Sequence, residues 1–206
     1  MPGASAQELK SQLFSDGTVL LSIPESFMDE SDFDWLESLT LQLPYEHVDV
    51  GDAGEPNNVS VGRFMTDVEA PELVNRPISD EAHKIVTRPK YLEFLKELFD
   101  LEEVHIRRMQ INAMKPGSFV GHHLDVDSNP DYIAAIVLQM GEDFTGGEFI
   151  VHGGGRPPRH FSPFYKSMTV SLCEFPHEVT KVESGERRSL VYFVSSHNGP
   201  NRRSAK

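Results

Sequence analysis

The apolar residues of this chain recur at every second position from about residue 103 onward, and the alternation continues almost to the C-terminus. A period of two is typical of β-strands, whose successive side chains point to opposite faces of a sheet. Short segments rich in Gly, Pro, Asn and Asp interrupt the alternation and indicate turns. The pattern predicts seven strands, over residues 103–114, 119–126, 132–140, 147–152, 167–173, 177–182 and 187–195.

So many short strands at this spacing favour a closed or two-sheet antiparallel architecture, either a barrel or a jelly roll. The N-terminal part carries helix signals instead: a capping box at Ser5 and Glu8, a helix start near Ser31, and Pro89 in a first turn. These helices are expected to cover one outer face of the sheet. We therefore predict a mainly β fold with supporting N-terminal α-helices.

The length of 206 residues suits one domain with a sizeable core, and the sequence shows no internal repeat. We predict a single domain over residues 1–206 with three parts: helical and strand support over 1–102, a β core over 103–196, and a tail over 197–206. The tail is rich in Asn, Gly, Pro and Ser, and we expect it to be disordered.

The formal net charge of −13 argues against a nucleic-acid-binding protein, because basic side chains on phosphates supply most of the affinity of such proteins. The basic cluster of Arg202, Arg203 and Lys206 lies in the tail. A single cysteine, Cys173, rules out an internal disulfide framework. With no apolar run long enough to span a membrane and no secretory signal, we expect a cytoplasmic protein without membrane or nucleic-acid partners. The oligomeric state is left open.

The first of the predicted strands has polar groups on both faces. Gln110 and Asn112 lie on one face, and Arg107 and His105 lie on the other. Polar side chains that face inward are costly unless they are hydrogen-bonded or line a cavity. We interpret Gln110 and Asn112 as candidate cavity-lining groups, and the alternative is an edge strand that is partly wet on both faces.

His123 and Asp125 lie two residues apart in the predicted strand 119–126, so an imidazole nitrogen and a carboxylate oxygen would point to one face. A third ligand, His177, could arrive from another strand. Two histidines and one carboxylate leave coordination positions open, which suits non-haem Fe(II) that binds oxygen and a cosubstrate. An HxD triplet alone is also common in exposed polar turns. His122 would point to the opposite face.

Arg187 and Ser189 also lie two residues apart and share a predicted strand face. A guanidinium with a hydroxyl beside it suits a carboxylate, which the planar fork binds bidentately. A chelating oxo acid with a second carboxylate would need a metal at one end and an arginine at the other. Arg188 would point to the opposite face and be solvated. For Arg187 considered alone, a surface salt bridge is the simpler interpretation.

Taken together, these residues resemble the Fe(II)- and 2-oxoglutarate-dependent dioxygenases, especially their prolyl-4-hydroxylase-like branch. The resemblance covers residues 108–193, less than half of the chain. It is carried, in order, by segments 115–119, 123–125, 143–149, 177–182 and 185–189, which read KPGSF, HLD, DFTGGEF, HEVTKV and GERRS. The resemblance implies a double-stranded β-helix, that is, a jelly roll.

The resemblance also implies the cofactor and the cosubstrates. His123, Asp125 and His177 would hold Fe(II). 2-Oxoglutarate would chelate the iron and place its 5-carboxylate on Arg187 and Ser189. O2 would be the second cosubstrate, and the products would be succinate, CO2 and a substrate oxidised at an unactivated C–H bond.

Further residues of the implied site are less regular. Asn112 matches an asparagine that contacts 2-oxoglutarate in relatives, whereas Met114 stands where many relatives carry a tyrosine. We expect Phe149 and Arg159 to contact the prime substrate, because Phe149 follows the Gly-Gly-Glu segment and Arg159 lies in a glycine-rich loop.

The prime substrate is predicted to be amino-acid-like or another small molecule, because no separate peptide-binding domain is present. A peptidyl, prolyl-type hydroxylase of the same superfamily is the alternative. A non-redox cupin enzyme with zinc or manganese would be expected to supply a third histidine, and an inactive binding module would be expected to have a broken triad.

Overall fold

The computed structural model describes residues 5–153, 155 and 157–203. Its helices are α1 (Ala6–Asp16), α2 (Glu30–Thr40), α3 (Ile78–Val86) and α4 (Pro89–Phe99). Its strands are β1 (Thr18–Ser22), β2 (Tyr45–Val50), β3 (Pro56–Asp67), β4 (Pro71–Leu73), β5 (His105–Met114), β6 (Phe119–His123), β7 (Tyr132–Gln139), β8 (Phe144–Gly146), β9 (Phe149–Val151), β10 (Arg159–Phe161), β11 (Ser167–Leu172), β12 (His177–Val179), β13 (Val182–Gly185) and β14 (Arg187–Ser195).

Twelve of these strands form one antiparallel sheet that curls into a nearly closed barrel. The strand order is β1-β11-β7-β14-β5-β3-β6-β12-β9-β10, and β2 and β4 pair with β3. Strands β8 and β13 form a separate antiparallel pair. The predicted mainly β fold, a double-stranded β-helix or jelly roll with supporting helices, is confirmed.

The residues of β14 alternate between two environments, as a period of two requires. Leu190, Tyr192 and Val194 are buried in the main hydrophobic core, whereas Ser189 and Val191 line an internal cavity. The same holds along β5, β7 and β11. Their core side carries Met109, Ile111, Ile136, Leu138, Met168 and Val170, and their cavity side carries Gln110, Asn112, Ala135, Val137, Thr169 and Ser171.

The helices pack on the outer face of the sheet through their apolar stripes. Leu9 of α1, Phe33 of α2 and Leu95 of α4 belong to the same buried cluster as the strand side chains. Helix α1 begins with the predicted capping box, in which the Ser5 hydroxyl accepts from the Glu8 N–H at 3.3 Å and Glu8 accepts from the Ser5 N–H at 3.0 Å. No described helix is long and apolar enough to cross a membrane.

Strand β5 is not an edge strand, because it lies between β14 and β3. Gln110 and Asn112 line the cavity, as interpreted from the sequence. Strand β3 comes from the N-terminal part of the chain and lies between β5 and β6. The first 102 residues thus contribute strands to the sheet as well as the covering helices.

The strand that carries the HxD triplet is shorter than predicted. Strand β6 ends at His123, and Asp125 begins a short 3-10 helix, Asp125–Asp127. Leu124 between them is still extended, with φ −115° and ψ 128°. The two potential ligands therefore remain on the same side of the chain although only one lies in the strand.

The C-terminal tail is ordered as far as the structure describes it, so the expectation of disorder is wrong for residues 197–203. Asn201 donates to the Asp67 carbonyl at 2.7 Å, and Arg202 forms an ion pair with Asp131. Lys206 lies outside the described residues. The tail returns to the sheet because amide and guanidinium donors find acceptors there.

A hydrogen-bonded network around a buried ion pair joins β3, β5 and β7. Arg107 donates from Nε and Nη2 to the Asp67 carboxylate at 2.9 and 2.8 Å, and both side chains are fully buried. Asp67 also accepts from Asn129 at 2.8 Å and from the Tyr132 hydroxyl at 2.9 Å. Burial and the adjacent carboxylate raise the pKa of Tyr132, so its hydroxyl remains a donor. The network satisfies a charge that water cannot reach.

Replacing Asp67 with asparagine would leave the Arg107 charge buried without a counter-ion. We expect the free energy of unfolding to fall by about 3–5 kcal/mol, the usual cost of removing one partner of a buried ion pair. Equilibrium urea unfolding measures this change. Glu93→Gln is the control, because Glu93 is 71% exposed in its pair with Lys96 and should contribute less than about 1 kcal/mol. Similar losses in both variants would contradict the role of Asp67.

Candidate active site

Three side chains with metal-ligating atoms converge in the cavity. His123 at the end of β6 and His177 at the start of β12 are paired directly across the two strands. Their Nε2 atoms lie 3.3 and 3.6 Å from the two carboxylate oxygens of Asp125. One donor atom from each residue lies within 4.8 Å of the others. Two imidazoles and one carboxylate at this separation can bind one metal ion.

Each imidazole is oriented by a backbone carbonyl two residues before it in the chain. Nδ1 of His123 lies 2.8 Å from the Gly121 carbonyl, and Nδ1 of His177 lies 3.0 Å from the Phe175 carbonyl. A carbonyl can only accept, so each Nδ1 carries the proton and donates it. In the neutral form of each ring, the lone pair is then at Nε2, on the side of Asp125, as a metal ligand requires.

The three side chains are buried and electrostatically coupled. Asp125 is 6% exposed and His177 is 7% exposed. Burial opposes a charge on His123, but the hydrogen bond to Asp125 and its charge raise the pKa of His123 to about 9. Burial also opposes a charge on Asp125, yet the adjacent histidines lower the pKa of that carboxyl. The carboxylate therefore attracts positive charge at the centre of the triad.

Arg187, at the start of β14, is 3% exposed and has no salt bridge to any described residue. Its Nη1 donates to the Ser189 hydroxyl at 3.3 Å and lies 3.5 Å from the Met114 sulfur. Its Nε has no hydrogen-bond partner in the described chain. Burial lowers the pKa of this guanidinium to about 10. A buried cation is costly unless an anion neutralises it, so this position fits a carboxylate ligand.

One cavity of about 140 Å³ connects the triad with Arg187 and Ser189. A ligand in it can therefore reach a metal ion and the guanidinium at the same time. Asn112 lines the same cavity, and its Oδ1 accepts from the Gln110 amide at 2.8 Å. This contact leaves the Asn112 amide nitrogen available to donate to a ligand.

Residues 109–195 match the family model described as the 2OG-Fe(II) oxygenase superfamily. A solved structure of an oxidoreductase of the 2OG-Fe(II) oxygenase family from Burkholderia pseudomallei is 41% identical to this chain, with a TM-score of 0.89. The match covers 97% of this chain and 95% of that one. The chain belongs to the 2OG-Fe(II) oxygenase superfamily.

Two more distant structures share the fold of this oxygenase. A prolyl-4-hydroxylase from Pseudomonas putida is 18% identical, with a TM-score of 0.61 over 92% of this chain and 98% of that one. The epimerase SnoN in complex with Fe3+, alpha-ketoglutarate and nogalamycin RO is 10% identical, with a TM-score of 0.66 over 92% and 83%. A hydroxylase and an epimerase thus share the fold, so the fold does not decide the prime substrate. No curated protein sequence matches the chain significantly.

The family uses Fe(II), 2-oxoglutarate and O2, and the residues of this oxygenase fit the first two. The His/Asp/His donor set suits Fe(II). The buried guanidinium, which has no counter-ion among the described residues, suits the distal carboxylate of 2-oxoglutarate. Family membership overturns the alternative of a non-redox cupin enzyme, and the intact triad differs from that expected of an inactive binding module.

His122 and Arg188, which are adjacent in sequence to His123 and Arg187, point away from the site, as predicted. His122 is exposed, and its ring lies 4.9 Å from the ring of His152. Arg188 points toward α2, where its Nη2 donates to the Thr40 hydroxyl at 2.9 Å. Arg188 is only partly exposed, so the expectation of a solvated side chain is wrong: the helix supplies a partner.

The two residues expected to contact the prime substrate lie in different places. Phe149 of β9 lines the cavity, and its ring lies 5.2 Å from the ring of His177. Arg159 of β10 is not among the described residues that line the cavity. Its Nη1 pairs with the Asp16 carboxylate at 3.0 Å. Attraction to the end of α1 therefore places Arg159 away from the site, and the predicted substrate contact lacks support.

The structure brings further charged residues of the oxygenase into the cavity: Asp52, Glu55, Arg63 and Arg108. The alternation of β5 could have indicated Arg108, which lies two residues before Gln110 and shares its face. Asp52 and Glu55 lie in the loop between β2 and β3. A loop has no periodicity that would predict the direction of their side chains.

Cys173 lies near the triad. It is fully buried, and the Asp125 charge acts on its thiol. Burial and then the Asp125 charge raise the pKa of this thiol, so it stays protonated. A protonated group beside a carboxylate can help to orient it for a metal ion. A single cysteine in a predicted strand carries no signal of this role.

Removal of the Asp125 carboxylate should take away the one anionic ligand of the triad. We expect Asp125→Ala to weaken Fe(II) binding by more than about 100-fold, the upper limit for changes outside the ligand set. Iron content after anaerobic reconstitution measures this, with an unchanged circular dichroism spectrum as the check on folding. His122→Ala is the matched control beside the triad, and comparable loss of iron in that variant would contradict the assigned faces.

Proposed function

We propose that this oxygenase hydroxylates an unactivated C–H bond of an amino-acid-like or other small molecule. In the balanced reaction, the substrate, 2-oxoglutarate and O2 give the hydroxylated product, succinate and CO2. One oxygen atom of O2 enters the product and the other enters succinate. One observation carries the proposal: a buried guanidinium without a described counter-ion shares a cavity with a His/Asp/His triad.

We assign His123, Asp125 and His177 to Fe(II), and Arg187 with Ser189 to the 5-carboxylate of 2-oxoglutarate. When bound, the iron supplies the redox chemistry that couples decarboxylation of 2-oxoglutarate to oxidation of the substrate. The protein residues hold the cosubstrate in one direction, because the charge of Arg187 and the hydroxyl of Ser189 select its distal carboxylate.

Asn112 and Met114 complete the proposed cosubstrate site. The amide nitrogen of Asn112 can donate to an oxygen of 2-oxoglutarate, since its own oxygen already accepts from Gln110. Met114 fills the space beside Arg187 with a sulfur, which is a weak acceptor and no donor. The hydroxyl that a tyrosine would bring is therefore absent here, and Arg187 with Ser189 carries most of the carboxylate recognition.

The size and lining of the cavity support a small prime substrate. Its volume of about 140 Å³ must also hold 2-oxoglutarate, so only a small molecule, or a small part of a larger one, can enter beside the cosubstrate. Val48, Val120, Val179 and Phe149 supply apolar walls. Such walls exclude water from the reacting groups and strengthen electrostatic contacts inside the cavity.

Succinate formation in the presence of Fe(II), 2-oxoglutarate and O2 tests the proposal. We expect small amino-acid-like molecules to stimulate it above the rate without prime substrate. Prolyl peptides serve as the comparison, because a peptidyl hydroxylase is the alternative within the superfamily. Stimulation by peptides alone would replace the small-molecule proposal with that alternative.

Arg187→Ala should remove the partner of a buried anion when 2-oxoglutarate is bound. The expected cost is about 2–5 kcal/mol, as for other truncated charge pairs. At about 1.4 kcal/mol per decade, the Kd for 2-oxoglutarate should rise by roughly one and a half to four decades. Anaerobic titration of 2-oxoglutarate into the Fe(II) enzyme, followed by visible absorption, measures this Kd.

Three further variants show whether the loss belongs to this contact. Arg187→Lys should recover part of the affinity, because an ammonium cannot form the bidentate fork. Ser189→Ala should cost about 1.5–3 kcal/mol, the value for a hydrogen bond to a charged group. Arg188→Ala is the control, since Arg188 contacts α2. A larger loss in Arg188→Ala than in Arg187→Ala would contradict the assignment.

A further inference from the structure

We infer that Glu55 and Arg108 form a second recognition site in the cavity, which binds the ammonium and the carboxylate of a free amino acid. This inference rests on the proposed function and names the class of its prime substrate. It starts from charges that neither iron nor 2-oxoglutarate requires. Beyond the triad and Arg187, the described cavity wall carries the charged residues Asp52, Glu55, Arg63 and Arg108.

Glu55 has one carboxylate oxygen paired and the other unpaired. Oε1 accepts from the Asn57 amide at 3.1 Å, and Oδ1 of Asn57 accepts from the Gly121 N–H on β6 at 3.2 Å. The carboxylate is thus tied to the strand that carries His123, and its charge acts on both histidines of the triad. Oε2 is buried and has no hydrogen-bond partner among the described residues.

A buried carboxylate oxygen without a donor is costly, so this position fits a ligand that brings one. An ammonium group suits it best, because its charge also neutralises the carboxylate. The backbone leaves room for this arrangement at Gly51. An ideal Cβ on Gly51 would lie 1.7 Å from Oε1 of Glu55, so a larger residue would displace the carboxylate.

Arg108 of β5 presents the opposite charge. Its Nε donates to the Gln110 side chain at 2.9 Å, and its guanidinium lies 5.8 Å from the centre of the Phe193 ring. Its Nη1 lies 2.6 Å from the Asp52 carboxylate. The Arg108 side chain is 12% exposed and that of Asp52 is 44% exposed. The barrel therefore holds the guanidinium, while its carboxylate partner belongs to a loop in contact with water.

The carboxylate of a ligand can replace that of Asp52. Ion pairs with an exposed partner contribute little free energy, so the exchange costs little. Arg63 is less available, because it pairs with Glu46 and also contacts Gln110. On the described cavity wall, the Glu55 carboxylate and the Arg108 guanidinium then remain for the ligand, and together they suit a zwitterion. A free amino acid carries both charges, whereas the same residue within a peptide has neutral amides in their place.

Succinate formation by the iron-loaded enzyme tests the substrate class. The probes are the proteinogenic L-amino acids, each beside its N-acetyl and its carboxamide derivative. We expect at least one free amino acid to stimulate succinate formation, with both blocked forms at least about tenfold less effective. Stimulation by blocked forms in place of the free amino acid would overturn the inference, and so would a lack of response to every free amino acid.

Variants test the named residues. Glu55→Gln and Arg108→Gln should each raise the KM for the amino acid about ten- to a hundredfold, and Gly51→Ala should resemble Glu55→Gln. Asp52→Asn should act in the opposite direction and lower the KM, because it removes the carboxylate that competes for Arg108. Glu93→Gln, on α4, is the control without effect. A raised KM in Asp52→Asn, or an unchanged KM in Arg108→Gln, would overturn the inference.

Anaerobic titration of 2-oxoglutarate separates this inference from the proposed function. If wild-type enzyme with Fe(II) gives no absorption change, the proposed function itself is overturned. If the absorption change is present but no free amino acid stimulates turnover, only the roles of Glu55 and Arg108 are overturned. An absorption change together with amino-acid-dependent succinate formation supports both.

Discussion

Strand β14 lies between β5 and β7, and its hydrogen-bonded pairing with both is the constraint on which the site depends. The pairing holds Leu190 and Tyr192 toward the helices, and Arg187 and Ser189 toward the cavity. Apolar burial on the outer side stabilises the fold, which leaves the inner side free to carry polar groups. A slip of one residue would exchange the two faces. Stability and chemistry are therefore carried by opposite faces of the same strands.

Two buried arginines differ in whether the described residues neutralise their charge. Arg107 is fully buried and binds the Asp67 carboxylate bidentately, so it links strands in the absence of any ligand. Arg187 is 3% exposed, but its described contacts are a hydroxyl and a sulfur. No described side chain neutralises its charge, so an anionic ligand in the cavity would do so. The partners of the two side chains, rather than their burial, distinguish them.

Much of the site follows from the alternation of side chains between the two faces of a strand. His123 faces the cavity and His122 faces away, and Arg187 and Arg188 divide in the same way, because successive strand side chains alternate. Asp125 is the exception, since it lies beyond the end of β6. The extended conformation of the intervening residue preserves the spacing, which is why a strand-based prediction places Asp125 on the correct side of the chain although it assigns the wrong element.

By itself, the sequence determined what local spacing and ordered motifs can carry: the strands, the capped helices, the superfamily, and the pairing of His123 with Asp125. Only the tertiary structure decided which other side chains share the cavity. Glu55 reaches it from a loop in the N-terminal part, whereas Arg159 pairs with Asp16, 143 residues earlier in the chain. These contacts join segments that are distant in sequence, and no periodicity in a loop predicts the direction of its side chains.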